Sequence, residues 1–129
     1  MNYIEIPYQG SMSLLTLKGA FSVHFPYLKW EFFYTHHEKQ EGSPKKEMVT
    51  TNLRMEQLNP SIQGGILQFH SETTVHELEE MIWQQCGIDV QVFRKSGTIW
   101  LETTVTDQWT LAFQNEQGKE LSEQFDRKK

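Results

Sequence analysis

The sequence predicts an α+β fold of two pseudo-repeats, each strand-helix-strand-strand, with the helices on one face of a mixed sheet. Two segments carry apolar residues at helical spacing, and each is followed at once by an alternating stretch typical of a strand. Because a helix with one apolar stripe must cover a sheet, we expect the two units to share a core. The stripes are Leu14, Leu17, Phe21 and Phe25 in the first segment and Val75, Leu78, Ile82 and Cys86 in the second.

The length of 129 residues suits a single domain, with repeats in residues 1–63 and 64–118 and a fraying polar tail in residues 119–129. The net charge of −5 argues against a nucleic-acid partner, because phosphate binding needs clustered Lys and Arg. The single cysteine, Cys86, excludes an internal disulfide framework. Residues 1–7 do not resemble a signal peptide, and no apolar run approaches the ~20 residues that cross a bilayer. We therefore expect no membrane contact and a cytoplasmic location.

The first repeat opens with an alternating segment at residues 3–6, which Pro7 should end because proline has no backbone N–H. Ser13 is a good N-cap for a helix over residues 14–25. The following residues 27–35 are rich in aromatic side chains and predict a strand.

A polar stretch at residues 36–47 then predicts a mobile surface loop. Asn52 should cap a short helical turn, and a strand is expected over residues 66–70. The first repeat therefore has a long polar loop where the second has a tight hairpin.

The second repeat carries clearer local signals. Thr74 and Glu77 form a capping box, and Gly87 suits the left-handed residue that closes a helix. Lys95-Ser96-Gly97 predicts a tight hairpin between two strands. Asp107 is expected to cap a last short helix, after which the chain becomes polar.

A set of residues runs from the cap of the second helix to the last short helix: Thr74-Val75-His76-Glu77-Leu78, Ile82, Gly87-Ile88, Lys95-Ser96-Gly97, Leu101, Trp109-Thr110-Leu111 and Asn115. With these residues, the stretch 66–117 resembles the ubiquitin-like β-grasp pattern of a capped helix, a strand, a glycine turn and a short helix. The resemblance implies a protein-binding scaffold and not a modifier, because the family's conjugation tail is absent and Gly64-Gly65 is internal. Each helix here follows one strand, where the family has a hairpin. Residues 90–97 and 100–104 are also similar to small uncharacterised bacterial proteins, a likeness that implies no activity.

The residues that resemble a catalytic or metal site have simpler structural interpretations. His36-His37-Glu38 lies in the polar loop, and adjacent histidines on a strand end point to opposite faces. Cys86 ends a helix on its apolar stripe, whereas a reactive thiolate is favoured at a helix N-terminus. Glu102 and Asp107 flank a threonine-rich run without any sign of a cleft. We therefore expect no catalytic residue, no metal and no cofactor.

The aromatic residues point instead to a binding surface. Phe33 and Phe93 should face away from the core by strand alternation, on the same side as Lys29, Glu31 and Gln91. Trp100 should lie beside them, with Arg94 and Lys95 at the rim. We expect a non-catalytic protein-interaction or self-association module whose partner is a protein or a second copy of the chain.

Two alternatives remain open at this point. One is a small-molecule-binding protein or minor enzyme with a pocket between the repeats, near His70, His76 and Glu102. The other is an immunity or antitoxin partner of a basic effector, which the acidic charge alone suggests.

Overall fold

The computed structural model describes residues 2–34 and 45–127. It confirms the predicted α+β class. Much of the predicted loop 36–47 lies outside the described residues, and a 3-10 turn at Lys45–Glu47 follows the gap. The elements are β1 (Ile4–Tyr8), α1 (Leu14–Ser22), β2 (Leu28–Phe33), α2 (Met55–Leu58), β3 (Gly65–Phe69), α3 (Val75–Cys86), β4 (Asp89–Ser96), β5 (Ile99–Glu102) and α4 (Leu111–Arg127).

The described strands form two antiparallel sheets, so the prediction of one mixed sheet is wrong. β1 pairs with β3, while β2, β4 and β5 form a sheet in the order β2-β4-β5. The strands pair across the two predicted repeats: Ile6 lies opposite Leu67, and Glu31 lies opposite Gln91. This pairing explains the difference, because the first strand of each predicted repeat joins its counterpart in the other and not the strand that follows its own helix.

Helix α3 forms as the sequence predicts. The Thr74 hydroxyl accepts a hydrogen bond from the Glu77 amide at 3.1 Å, and the Glu77 carboxylate accepts one from the Thr74 amide at 2.9 Å. Gly87 ends the helix at φ +65°, a conformation that costs glycine little. The predicted stripe is buried, including Cys86 at the helix end.

Helix α1 and the core strands meet through aromatic packing. Ser13 caps α1 by accepting from the Thr16 amide, and the helix ends at Ser22, earlier than predicted. Phe21 stacks on Trp30 of β2 with ring centroids 4.5 Å apart. Both helices α1 and α3 bury their stripes in one cluster with the inner residues of β2 and β4.

Similar backbone hydrogen bonds join the N-terminus of α1 to the start of α2, and the N-terminus of α3 to the start of α4. They occur at corresponding positions of the two halves and fasten each helix N-terminus to the residues before α2 or α4. An origin of the fold by duplication stays a prediction. The bonds are Leu14 N–H to Leu53 O (2.8 Å) and Met55 N–H to Met12 O (2.9 Å) in one half, and Val75 N–H to Trp109 O (3.0 Å) and Leu111 N–H to Thr73 O (2.9 Å) in the other.

The expectation that Pro7 ends the first strand is wrong. β1 runs on to Tyr8, with Pro7 opposite Ile66. Proline is tolerated there because, within residues 2–34 and 45–127, β1 pairs with a strand on one side only, so its missing N–H need not face a neighbouring strand.

The predicted fraying tail is also wrong, because α4 continues to Arg127. The Thr110 hydroxyl accepts from the Phe113 amide at 3.1 Å and therefore caps α4, in place of Asp107. After Leu111, the inner side of this helix is made of small or polar residues, which explains why a hydrophobicity pattern misses the rest of it. Its buried residues are Leu111, Gln114, Gly118 and Ser122.

Gly118 allows α4 to approach β4 closely. A Cβ atom at this position would lie 2.9 Å from Tyr27 Cβ and 3.1 Å from Arg94 Cγ. The Arg94 guanidinium donates to the Gln114 side chain at 2.8 Å, and the Tyr27 amide donates to Asn115 at 2.8 Å. Polar contacts and a close backbone approach therefore hold α4 in place.

Two glycine substitutions in helices should have opposite effects on stability. Gly19→Ala in α1 meets nothing within 4 Å and should raise the free energy of unfolding by ~0.5–1 kcal/mol through helix propensity. Gly118→Ala gains the same propensity but overpacks the α4 contact, at a cost of ~1–3 kcal/mol, so it should destabilise the protein. Urea unfolding of both variants measures the difference. A stabilising Gly118→Ala would contradict the close approach of α4.

Candidate binding surface

The sheet β2-β4-β5 has two faces of different character. Trp30 and Val92 point into the core and are buried. Because side chains alternate along a strand, Lys29 and Phe93 lie on the opposite face, which we call the outer face. Trp100 of β5 joins them, since its ring lies under the Lys29 ammonium.

An open concavity of about 390 Å³ lies on the outer face. The Lys29 ammonium is 4.8 Å from the centroid of the Trp100 ring and 6.0 Å from that of Phe93. A cation over aromatic faces is attracted by their π electrons, so Lys29 and the two rings hold one another in position. The lining residues are Lys29, Glu31, Met48, Phe93, Trp100, Leu101 and Glu102.

The charges around the concavity are unequally paired. Glu31 forms an ion pair with Lys18 of α1, with 2.8 Å between the ammonium and the carboxylate. Glu102 accepts a hydrogen bond of 3.3 Å from the Thr104 hydroxyl. Within the described ranges, no carboxylate lies within ion-pair distance of Lys29, whose ammonium contacts the rings instead. Lys29 can therefore receive a carboxylate from outside.

The exposure predicted for two of the aromatic residues is wrong. Phe93 is 7% exposed and forms the floor of the concavity, and Phe33 is 2% exposed. Phe33 lies opposite Met48 across an isolated antiparallel bridge, so the chain that follows the undescribed residues 35–44 runs beside it. Strand alternation predicts a face but not what covers that face. Trp100 is half-buried and keeps surface to offer a ligand.

The two predicted rim residues lie on different faces. Arg94 points toward α4, where its guanidinium lies 5.6 Å from the Trp109 ring, and desolvation lowers its pKa. It therefore belongs to the α4 contact and not to the concavity. Lys95 follows Phe93 by two positions and shares the outer face, with its backbone amide bonded to Tyr27 O at 2.9 Å.

Three lining residues were not assigned to this surface from the sequence. Met48 arrives through the bridge to Phe33, a contact between positions with no local signal. Leu101 and Glu102 belong to β5, and the register of the hairpin places Glu102 opposite Phe93. The Lys95-Ser96-Gly97 turn predicts this register, so of the three residues only Glu102 could have been assigned to the surface from the sequence.

The other predicted candidates do not join the concavity. The Nδ1 atom of His70 accepts from the Glu72 amide at 3.1 Å, and that of His76 lies 3.8 Å from an Asp107 carboxylate oxygen. Burial raises the pKa of the Cys86 thiol. Over residues 2–34 and 45–127, no three His, Cys, Asp or Glu side chains group closely enough to hold a metal. The cluster His36-His37-Glu38 lies outside the described residues.

Sequence reasoning also missed Glu79, which bonds to the sheet where β5 ends. Its carboxylate accepts from the Val92 amide at 2.9 Å. The pKa of Glu79 is raised to about 8, chiefly because the group is desolvated; the hydrogen bond from Val92 opposes this rise, and the nearby Asp107, Asp89 and Glu102 add to it. This carboxyl group therefore keeps a proton at neutral pH.

The proton on Glu79 should make stability fall as pH rises. Folded Glu79 titrates near pH 8 instead of its ordinary 4.5, so the folded chain binds more protons than the unfolded chain between these values. Its contribution is complete below about pH 4.5 and is lost as pH rises through 8, with a slope of at most ~1.4 kcal/mol per pH unit. Glu79→Gln should flatten this slope in urea unfolding at pH 5, 7 and 9. The matched change Glu80→Gln on the same helix should leave it in place, and an unaltered slope in Glu79→Gln would refute the assignment.

Comparison of the chain with protein-family models, with curated proteins and with solved structures gives no match. In the part of the chain that the structure describes, no helix combines the length and the apolar character that spanning a membrane requires. The geometry of the outer face is therefore the basis for a functional proposal.

Proposed function

We propose that this protein is a non-catalytic interaction module that binds a protein partner at the outer-face concavity. The observation that carries the proposal is the half-buried Trp100 beside Phe93 in an open depression of about 390 Å³. An aromatic depression of this kind accepts one or two apolar side chains, and partly buried tryptophan is a frequent centre of binding energy.

The charges suggest the chemistry of the bound segment. Lys29 is held over the rings without a carboxylate partner among the described residues, while Glu31 is paired with Lys18. A partner that places an acidic group beside its apolar side chain would pair with Lys29 where the rings exclude water. We therefore propose an apolar segment with a neighbouring Asp, Glu or terminal carboxylate.

A small-molecule ligand is the second candidate, and the size of the concavity favours it. Its volume of about 390 Å³ lies in the range of ~300–1,000 Å³ typical of ligand pockets. An apolar carboxylate would use the same rings and Lys29. The two candidates differ in the extent of surface that becomes protected on binding.

Replacement of Trp100 should weaken binding without unfolding the protein. Wild-type protein is used to isolate a partner from the source cells, and the purified partner is then titrated by calorimetry. Trp100→Ala should weaken the affinity ~30-fold, equivalent to ~2 kcal/mol, because it removes the largest apolar surface of the concavity.

Trp83→Ala is the matched control, since Trp83 is also half-buried but lies on α3 beside a different cavity. It should change the affinity less than Trp100→Ala by a wide margin. Lys29→Glu should weaken binding and reverse its salt dependence. If Trp100→Ala, shown to be folded by circular dichroism, binds as the wild type does, the concavity is not the binding site.

A further inference from the structure

The sheet β2-β4-β5 has an edge strand on each side, and the two edges differ in how the described chain covers them. The edge of β2 is partly covered, because the Val49 amide donates to the Phe32 carbonyl at 2.7 Å. Within residues 2–34 and 45–127, β5 pairs with β4 alone. Trp100 of β5 is half-buried, and the other three residues of this strand are exposed. An extended segment can therefore join the sheet at β5.

The register of the hairpin shows which backbone groups of β5 point to the open edge. The Lys95 amide donates to the Tyr27 carbonyl at 2.9 Å, on the side of β2, so the backbone of Lys95 faces away from β5. Trp100 lies opposite Lys95. Opposed residues of an antiparallel pair exchange both backbone bonds or neither, so the N–H and C=O groups of Trp100 point to the open edge. Those of Glu102, two positions on, do the same, whereas the Thr103 amide turns back to β4.

The residues with these outward backbone groups also belong to the outer face. Trp100 and Glu102 both line the concavity. Directly opposed side chains of an antiparallel pair lie on the same face of the sheet. A segment added to β5 therefore places the side chains opposite Trp100 and Glu102 on the outer face, and the side chain opposite Leu101 on the other face. The open edge and the concavity thus form one continuous surface.

We propose that the bound segment of the partner protein adds to β5 as an antiparallel strand, with an acidic residue opposite Trp100 and apolar residues opposite Leu101 and Glu102. This inference rests on the proposed function of the concavity and specifies its ligand. The segment exchanges backbone hydrogen bonds with Trp100 and Glu102, and antiparallel pairing is the more stable arrangement per residue. From its N- to its C-terminus, the recognised pattern is therefore apolar-apolar-acidic.

Charge complementarity sets the order of this pattern. The Lys29 ammonium lies 4.8 Å from the centroid of the Trp100 ring, so a carboxylate opposite Trp100 comes beside an ammonium of opposite charge. A carboxylate opposite Glu102 would instead face a like charge, which is unfavourable between paired strands, and an apolar side chain avoids it. Two copies of this chain, each with a net charge of −5, repel one another, so the segment belongs to a different protein.

A defined peptide tests the added strand. The probe is acetyl-Thr-Leu-Val-Asp-Thr-amide, titrated into the isotope-labelled full chain and followed by NMR. In the proposed register its Asp lies opposite Trp100 and its Leu opposite Glu102, while the backbone of its Val points away from β5. Binding should slow the hydrogen exchange of the Trp100 and Glu102 amides, because both become donors to the peptide. It should also shift the side-chain resonances of Lys29.

N-methylation of the probe separates strand addition from simple occupancy of the concavity. A methyl group on the Asp nitrogen removes the donor that faces the Trp100 carbonyl, and it should weaken binding about tenfold, as expected for the loss of one hydrogen bond. The matched control carries the methyl group on the Val nitrogen, which points away from β5, and should bind as the unmodified probe does. Equal affinities of the two methylated probes would overturn the proposal.

The added strand and the concavity can fail separately. A probe that shifts Lys29 and Trp100 but protects neither edge amide would overturn strand addition and leave the concavity as the binding site. A probe that does not bind at millimolar concentration would overturn the apolar-apolar-acidic pattern, while the partner titration with Trp100→Ala decides the concavity by itself. A wild type that sediments as a dimer, with the Trp100 and Glu102 amides already protected, would give the edge to a second copy and overturn the proposal.

Discussion

The antiparallel pairing of β2 with β4 is the contact on which the rest of the structure depends. It joins the two halves of the chain and runs from Leu28 opposite Arg94 to Phe33 opposite Asp89. Its inner side chains complete the core beneath α1 and α3, and its outer side chains form the concavity. Because side chains alternate with a period of two, a slip by one residue would expose Trp30 and bury Lys29. The core and the binding surface are thus set by the same register.

The end of β5 explains the unusual environment of Glu79. Just beyond Glu102, Thr103 donates its backbone N–H and its hydroxyl to the Val92 carbonyl, while the Val92 amide donates to the Glu79 side chain of α3 and not to a neighbouring strand. A buried backbone N–H without a partner would be costly, and this contact satisfies it. The carboxyl group is desolvated as a result, which raises its pKa to about 8. A helix side chain therefore links the sheet edge to the pH dependence of stability.

Elements with local signals were predictable from the sequence. The capping box of Thr74 and Glu77, the closing Gly87 and the turn at Gly97 act within a few residues, and the structure contains all three. Helix α4 was missed beyond its first turn because its inner side consists of residues such as Gln114 and Gly118. These are buried only because Arg94 and Tyr27 lie against them, and no short-range pattern reports that contact.

The candidate site, too, could be predicted from the sequence only in part. Alternation along β2 and β4 was enough to place Lys29 and Phe93 on the outer face, because the period of two is a property of the extended backbone. Tertiary structure decided that Phe33 is enclosed, that Arg94 turns to α4, and that Met48 completes the concavity. Those outcomes depend on which strands pair and which segments cover them. Such contacts join distant positions, whereas sequence patterns report the chemistry of neighbours.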